Sequence, residues 1–347
     1  MTQTCGRSRN IIISPQAGFA NRLRALNSAI LAATESSRNL YHYWLPCQPN
    51  HRERHINWIK QTSLDHFFEC KDILSTPPED AKPDLALSEW ACNDYWYDVQ
   101  SSAQVDFGLK TGKRAQDYLQ VVLNSTAETI LIETSLRFWP HDHKGLETSI
   151  LTGEEALKIH NAYSQLAPKR FYLDLISQLE PIDIGVAIRR GDLLKYSNDA
   201  RQEVLDIYNF LVELGSGGQR MMIFSDDSEL VEYLTSLPGI SQEYPLFSNM
   251  LKKLLPHQKA MTTFLFLAFK CQIIYGTPTS SFAQEAALFG NRSYDTVLRN
   301  SSQHQRNEFP EDSPNHLFNM LEQAIQPGFY SSSKRKTDFR ESIMEIR

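Results

Sequence analysis

Apolar residues fall along this chain in two kinds of run. Short aliphatic stretches at 10–14 (Asn-Ile-Ile-Ile-Ser), 39–44, 129–133 (Thr-Ile-Leu-Ile-Glu), 182–189, 221–224 and 272–275 carry little polar alternation. Strands covered on both faces of a parallel sheet read this way. Between them lie stretches whose apolar residues recur three and four apart. Leu23, Leu26, Ile30 and Ala33 form one stripe, and Val204, Ile207, Leu211 and Leu214 another. Each stripe predicts a helix with one face on a core, the first from Asn21 and the second over 200–214. Helical spacing also covers 153–166, 170–179, 228–237, 260–270 and 281–289. The 260–270 segment, with Phe264, Leu265, Phe266, Leu267 and Phe269, is apolar nearly all round and is expected to be core. Pro15–Ala20 and Gly215–Gly218 are the clearest breaks.

Strand and helix alternate in both halves, and 347 residues are long for one core. The expectation is an α/β protein of two doubly wound, Rossmann-like domains. The boundary is placed at Pro168, giving an N-terminal domain over 1–167, a C-terminal domain over 168–330 and a mobile tail over 331–347 that opens with Ser-Ser-Ser-Lys-Arg-Lys. Residues 46–104, rich in Trp, Tyr, His and Cys, show no sustained period and are expected to form loops and short helices. The polar stretch 299–315 is expected to be a long loop.

Composition narrows the function. Hydrophobic residues are 41% and charged residues 22%, as in ordinary globular proteins. With 35 basic and 41 acidic residues the net charge is −6, which disfavours nucleic-acid binding and requires any anion site to be a local basic pocket. No run approaches the length of a membrane span, and no apolar stretch precedes Ile11, so neither a spanning helix nor a secretory signal is expected. Cys5, Cys47, Cys70, Cys92 and Cys271 are odd in number and scattered, without a Cys-x-x-Cys pair. Reduced thiols in the cytoplasm are expected, with no disulfide framework or zinc site.

Ligands of open parallel sheets bind beyond the carboxyl ends of the strands, and four segments at such ends carry chemistry. In Ala187-Ile188-Arg189-Arg190-Gly191-Asp192, two guanidinium forks stand beside a glycine. Arginine suits phosphate oxygens because it donates in a planar, bidentate way and stays charged. The competing reading is a surface pair bridging to Asp192 or another carboxylate. In Phe224-Ser225-Asp226-Asp227-Ser228, one carboxylate at the strand end is placed to accept from a base edge or a ribose. Asp227 or Ser228 is equally suited to cap the following helix. In Tyr275-Gly276-Thr277-Pro278-Thr279-Ser280-Ser281-Phe282, the hydroxyls of Thr279, Ser280 and Ser281 exceed what a helix cap needs, and the helix start adds unpaired amides suited to phosphate. Gly18-Phe19-Ala20-Asn21-Arg22-Leu23 repeats the strand-turn-helix logic, with Asn21 as ligand group or as cap. It is not a Gly-x-Gly-x-x-Gly fingerprint, so a bound dinucleotide is not expected.

In this order, the four segments resemble the motifs of the GDP-fucose-dependent fucosyltransferases, the superfamily of the nodulation-type, core α-1,6- and protein O-fucosyltransferases. Ile-Arg-Arg-Gly-Asp resembles their first motif, Ile223–Asp227 the second, Gly276–Phe282 the third, and Gly18–Leu23 the N-terminal Gly-x-x-Asn-Arg/Gln loop. The resemblance covers residues 10–290 and implies a GT-B-like fold of two Rossmann-like domains facing across a cleft. It implies inverting, metal-independent transfer of fucose from GDP-fucose to a glycan or other hydroxyl acceptor. Arg189 then binds the β-phosphate as it leaves, Arg190 supports it, and Asp226 or Asp227 holds guanine or ribose. Thr279, Ser280, Ser281 and the Phe282 amide cradle phosphate, while Gly18, Asn21 and Arg22 serve the donor from the N-terminal side. Asp192, Asp199 and Glu133 are the base candidates. A bacterial surface glycan or a lipid-linked saccharide is the default acceptor, and a lipid-linked one would place the enzyme at the membrane periphery. The His of the first motif is replaced by Ala187. That departure leaves open another nucleotide sugar, or a catalytically silent sugar-binding relative.

Other segments carry less. His51 and His55 lack the Glu of a zinc-protease helix, and no Gly-x-x-x-x-Gly-Lys-Ser/Thr supports a kinase or sulfotransferase. His141-Asp142-His143 reads as a surface loop, and Trp90, Tyr95, Trp96 and Tyr97 suit a sugar acceptor no better than ordinary packing.

Overall fold

The computed structural model describes residues 9–15, 18–44, 62–70, 77, 83–88, 110–111, 118–140, 151–189, 200–225, 231–232, 234–235, 245–277 and 280–297. Strand β1 (Asn10–Pro15) is buried along its whole length. Helix α1 (Phe19–Ser36) follows, then β2 (Asn39–His42), which pairs parallel to β1. This is the β-α-β unit expected from the sequence. The helix starts two residues before Asn21, because Gly18 in extended backbone (φ −71°, ψ 170°) takes the N-cap position. Asn21 therefore sits inside the first turn.

A single 3-10 turn at Leu64–His66 leads into β3 (Phe68–Cys70), and β4 (Leu85–Ser88) and β5 (Lys110–Thr111) follow. Helix α2 (Tyr118–Asn124) precedes β6 (Thr129–Thr134). The expectation of loops and short helices over 46–104 is thus corrected: β3 and β4 lie there. Four-residue β4 is held by pairing parallel to β6, with Ser88 opposite Glu133. The first sheet has the order β2-β1-β6-β4-β5, and all its pairings are parallel. Helix α3 (Gly153–Tyr163) opens with a capping box: Glu155 N–H donates to Thr152 Oγ1 at 3.2 Å and Thr152 N–H to Glu155 Oε2 at 2.8 Å. It ends earlier than its spacing predicts, since β7 (Leu166–Pro168) pairs antiparallel to β3. Pro168, expected to divide domains, is the last residue of that strand.

Helix α4 (Arg170–Ser177) leads to β8 (Ile182–Ile188), α5 (Ala200–Ser216) and β9 (Met221–Ser225), and β8 and β9 pair parallel. Helices α6 (Pro245–Lys252) and α7 (Pro256–Lys270), strand β10 (Cys271–Gly276), helix α8 (Ser281–Gly290) and β11 (Ser293–Thr296) complete the order. The second sheet runs β11-β10-β8-β9. As expected, α7 is core, with Phe264 to Ala268 all fully buried. Within the predicted helix at 228–237, residues 231–232 and 234–235 are described, and they are helical.

Contacts divide the chain otherwise than a single cut at Pro168 does. One unit comprises Met1–Ile182, Tyr244–Ile274 and Thr279–Tyr294; the other comprises Asp183–Glu243, Tyr275–Pro278 and Asp295–Arg347. The reason is packing: α7 and α8 lie against each other, α7 against α4, and α8 against α1 and α3. In the second unit, Ile184, Val186, Ile188, Ile207, Leu211, Met221 and Ile223 form a core around β8, β9 and α5. Residues 299–315 and the tail from Ser331 lie outside the described residues.

Candidate functional site

In the second unit, the carboxyl end of β8 carries Arg189. Its backbone is fixed by Thr277, which follows β10 and is fully buried. Arg189 N–H donates to Thr277 Oγ1 at 3.1 Å, and Thr277 N–H donates to the Ala187 carbonyl at 3.2 Å. A buried threonine hydroxyl costs stability unless it is paired. Here it also pins the arginine at the strand end. Thr277 was visible in the sequence only as part of a hydroxyl-rich turn; its tie to a residue 88 positions away was not. Arg190, Asp192, Asp199, Asp226, Asp227 and Thr279 lie outside the described residues.

In the first unit, two helix starts come together. Phe19 in the first turn of α1 and Phe282 in the first turn of α8 have ring centroids 6.5 Å apart, and Phe264 contacts both at 5.4 and 5.7 Å. Aromatic packing thus sets the Gly18 turn beside Ser280 and Ser281. Each helix start presents amide donors and a partial positive charge. Ser280 is the N-cap of α8, yet its side chain makes no capping hydrogen bond. A structural reading of that serine predicts such a bond. Gly18 has φ −71°, and a Cβ there would meet no atom within 4 Å, so neither strain nor crowding explains the glycine.

Asn21 Oδ1 is buried and has no hydrogen-bond partner among the described residues. Buried polar atoms are rarely left so, and an amide oxygen in that state calls for a hydroxyl or N–H donor. Arg22 is buried, with its guanidinium carbon 5.7 Å from the centre of the Trp44 ring. Glu133, the base candidate on this side, is the penultimate residue of β6 and half-buried.

A second buried group was not legible in the sequence. Arg137, just beyond β6, puts Nη2 at 2.5 Å from both carboxylate oxygens of Glu285 on α8. Tyr163 on α3 donates to Glu285 Oε2 at 2.5 Å. Burial alone pushes the Arg137 pKa down, but Glu285 and Tyr163 more than reverse that, and the net shift is upward. Burial, reinforced by Glu285, holds the Tyr163 hydroxyl well above its usual pKa. The triad joins α8 to β6 and α3, and so braces the helix that begins at Ser280 and Ser281.

No protein-family model matches the chain, and no curated protein matches it in sequence. Solved structures do match in fold. The fucosyltransferase NodZ from Bradyrhizobium has a TM-score of 0.51 at 16% identity, over 81% of this chain and 93% of NodZ. NodZ α-1,6-fucosyltransferase soaked with GDP-fucose has a TM-score of 0.50 at 15% identity, over 81% and 92%. POFUT1 in complex with GDP-fucose has a TM-score of 0.51 at 11% identity, over 83% and 98%. The chain therefore has the α/β fold, with parallel sheets, of the GT-B fucosyltransferases.

Proposed function

We propose that this protein is an inverting glycosyltransferase that moves fucose from GDP-fucose to a hydroxyl acceptor on a glycan, without a metal. The observation that carries the reading is Arg189, anchored by Thr277 at a parallel strand end, in a fold shared with the fucosyltransferases NodZ, soaked with GDP-fucose, and POFUT1, in complex with it. The acceptor hydroxyl attacks C1 of fucose, the C1–O bond to the β-phosphate breaks, and the hydroxyl proton passes to a carboxylate. Asp192, Asp199 and Glu133 are the candidates for that base. Negative charge builds on the departing diphosphate, and pre-placed donors lower the barrier. Arg189 with Arg190 supplies that charge complement, and the hydroxyls of Thr279, Ser280 and Ser281 with the Phe282 amide are further phosphate ligands. Asn21 Oδ1 suits a sugar hydroxyl better than phosphate, because it accepts and does not donate. Arg22 and the open Gly18 turn serve the donor beside it.

Ala187 offers no hydrogen bond to a base, so selection of guanine falls to Asp226 or Asp227. The described cysteines, Cys70 and Cys271, are free thiols, in keeping with the cytoplasmic setting we assign. The test is GDP release from GDP-fucose, with and without saccharide acceptors. Turnover that falls about 100-fold or more in Arg189→Ala is expected, from the loss of a donor aimed at developing charge. Binding of the donor with no turnover under any acceptor would instead make the protein a sugar-nucleotide binder.

A further inference from the structure

Leu246, Leu255 and Phe171 are 60%, 57% and 47% exposed, three of the four exposed large apolar side chains among the described residues. All belong to the first unit. Phe171 on α4 lines a pocket of about 360 Å³ together with Lys169, His257 and Gln258, and Leu255 is the N-cap of the helix that carries the last two. Phe171 thus lines this depression, and Leu255 stands at the start of the helix that supplies its His257 and Gln258 wall. The orientation of α6 is set by Phe247, fully buried with its ring 4.7 Å from that of Phe266. Leu246, Asn249 and Lys252, three residues apart, face solvent.

Charge along this segment is one-sided. Residues 245–270 hold Lys252, Lys253, Lys259 and Lys270 and no acidic residue, in a protein of net charge −6. Lys169 adds a cation on the pocket wall, against a single carboxylate, Asp65. Arg170 next to it is paired with Asp174 at 2.7 Å. Exposed leucines and a phenylalanine among lysines, with Asp65 and the Arg170-paired Asp174 the acids beside them, match the boundary of an anionic bilayer: apolar tips enter the acyl edge while ammonium groups reach lipid phosphates.

We propose that this face, built from α4, α6 and the start of α7, docks the protein on an anionic lipid surface. Contact is interfacial, since no described helix is long and apolar enough to cross a membrane. The inference does not rest on fucosyl transfer, because its test uses no donor sugar. The full chain is floated with vesicles of phosphatidylcholine alone or with about 30% phosphatidylglycerol, a strongly anionic surface. Binding to the anionic vesicles only, weakening as salt rises, is expected. Lys252→Gln with Lys253→Gln lowers affinity about 25-fold, from about fivefold per lysine. Leu246→Ser with Leu255→Ser removes vesicle binding without lowering the melting temperature, both side chains being exposed and serine being a good cap at position 255. No binding to anionic vesicles, equal binding to neutral ones, or indifference to both variant pairs overturns the proposal. So does binding of soluble polyglutamate that the leucine variants do not weaken, which assigns the face to an acidic protein.

Discussion

The fully buried Thr277 hydroxyl accepts from Arg189 N–H. Thr277→Val keeps the shape and removes the acceptor. Stability should fall by about 1–2 kcal/mol, the cost of an unpaired buried donor. Nucleotide affinity should fall about tenfold through the loosened Arg189; unchanged affinity by calorimetry would detach Thr277 from the site. The Arg137–Glu285 pair makes a sharper prediction. Glu285→Gln leaves a buried guanidinium without a countercharge and should cost about 3–5 kcal/mol in urea unfolding. Arg137→Met combined with Glu285→Gln should cost less than the two changes summed. Additive costs would show that the pair does not act as one. Of these residues, the sequence exposes Arg189 as an arginine at a strand end. It conceals Arg137 and Glu285, which stand 148 positions apart with no local pattern to join them.

Elements were legible where the chain itself determines them. The β-branched run Ile11–Ile13 and the striped helix after it appear as β1 and α1, and β8, β9, β10 and α8 fall within two residues of their expected limits. What failed needed partners. Leu85–Ser88 is four residues with no period to detect, and it is a strand because β6 offers it a parallel edge. Leu166 reads as the end of a helix and Pro168 as a boundary until β3 pairs with Leu166–Pro168. Gly290 illustrates packing between elements. A Cβ at this residue would lie 1.9 Å from the Ala268 carbonyl oxygen, so the end of α8 approaches α7 as only glycine permits. Gly290→Ala should force the helices apart and cost about 3 kcal/mol, the upper end of ordinary overpacking. A melting temperature equal to wild type would contradict that close approach.

At the scale of the whole molecule, the alternation of strand and helix was enough to read an α/β fold, while the contacts that draw α7 and α8 to α1, α3 and α4 of the first unit were not readable from any local run. Global stability should carry one signature of this packing. His42, at the end of β2, is buried, its Nδ1 accepts from Trp44 N–H at 3.3 Å, and burial, only partly opposed by Asp65, lowers its pKa to about 4. The unfolded chain takes up this proton near pH 6.5, whereas the folded chain resists until about pH 4. The contribution is therefore fully present above pH 6.5 and is lost as pH falls toward 4, on the order of 3 kcal/mol in all. Urea unfolding at pH 7 and pH 5 should show about 2 kcal/mol of that loss in wild type and less of it in His42→Gln. The central claim, a site for the diphosphate of a guanine nucleotide sugar built on Arg189, is tested most directly by titrating GDP, UDP, ADP and CMP calorimetrically into wild type and Arg189→Ala. GDP should bind wild type in preference to the others, with Arg189→Ala weakening it about 100-fold, the loss of a charge-assisted contact to phosphate. Preference for another nucleotide, or GDP affinity unchanged by Arg189→Ala, would contradict the account.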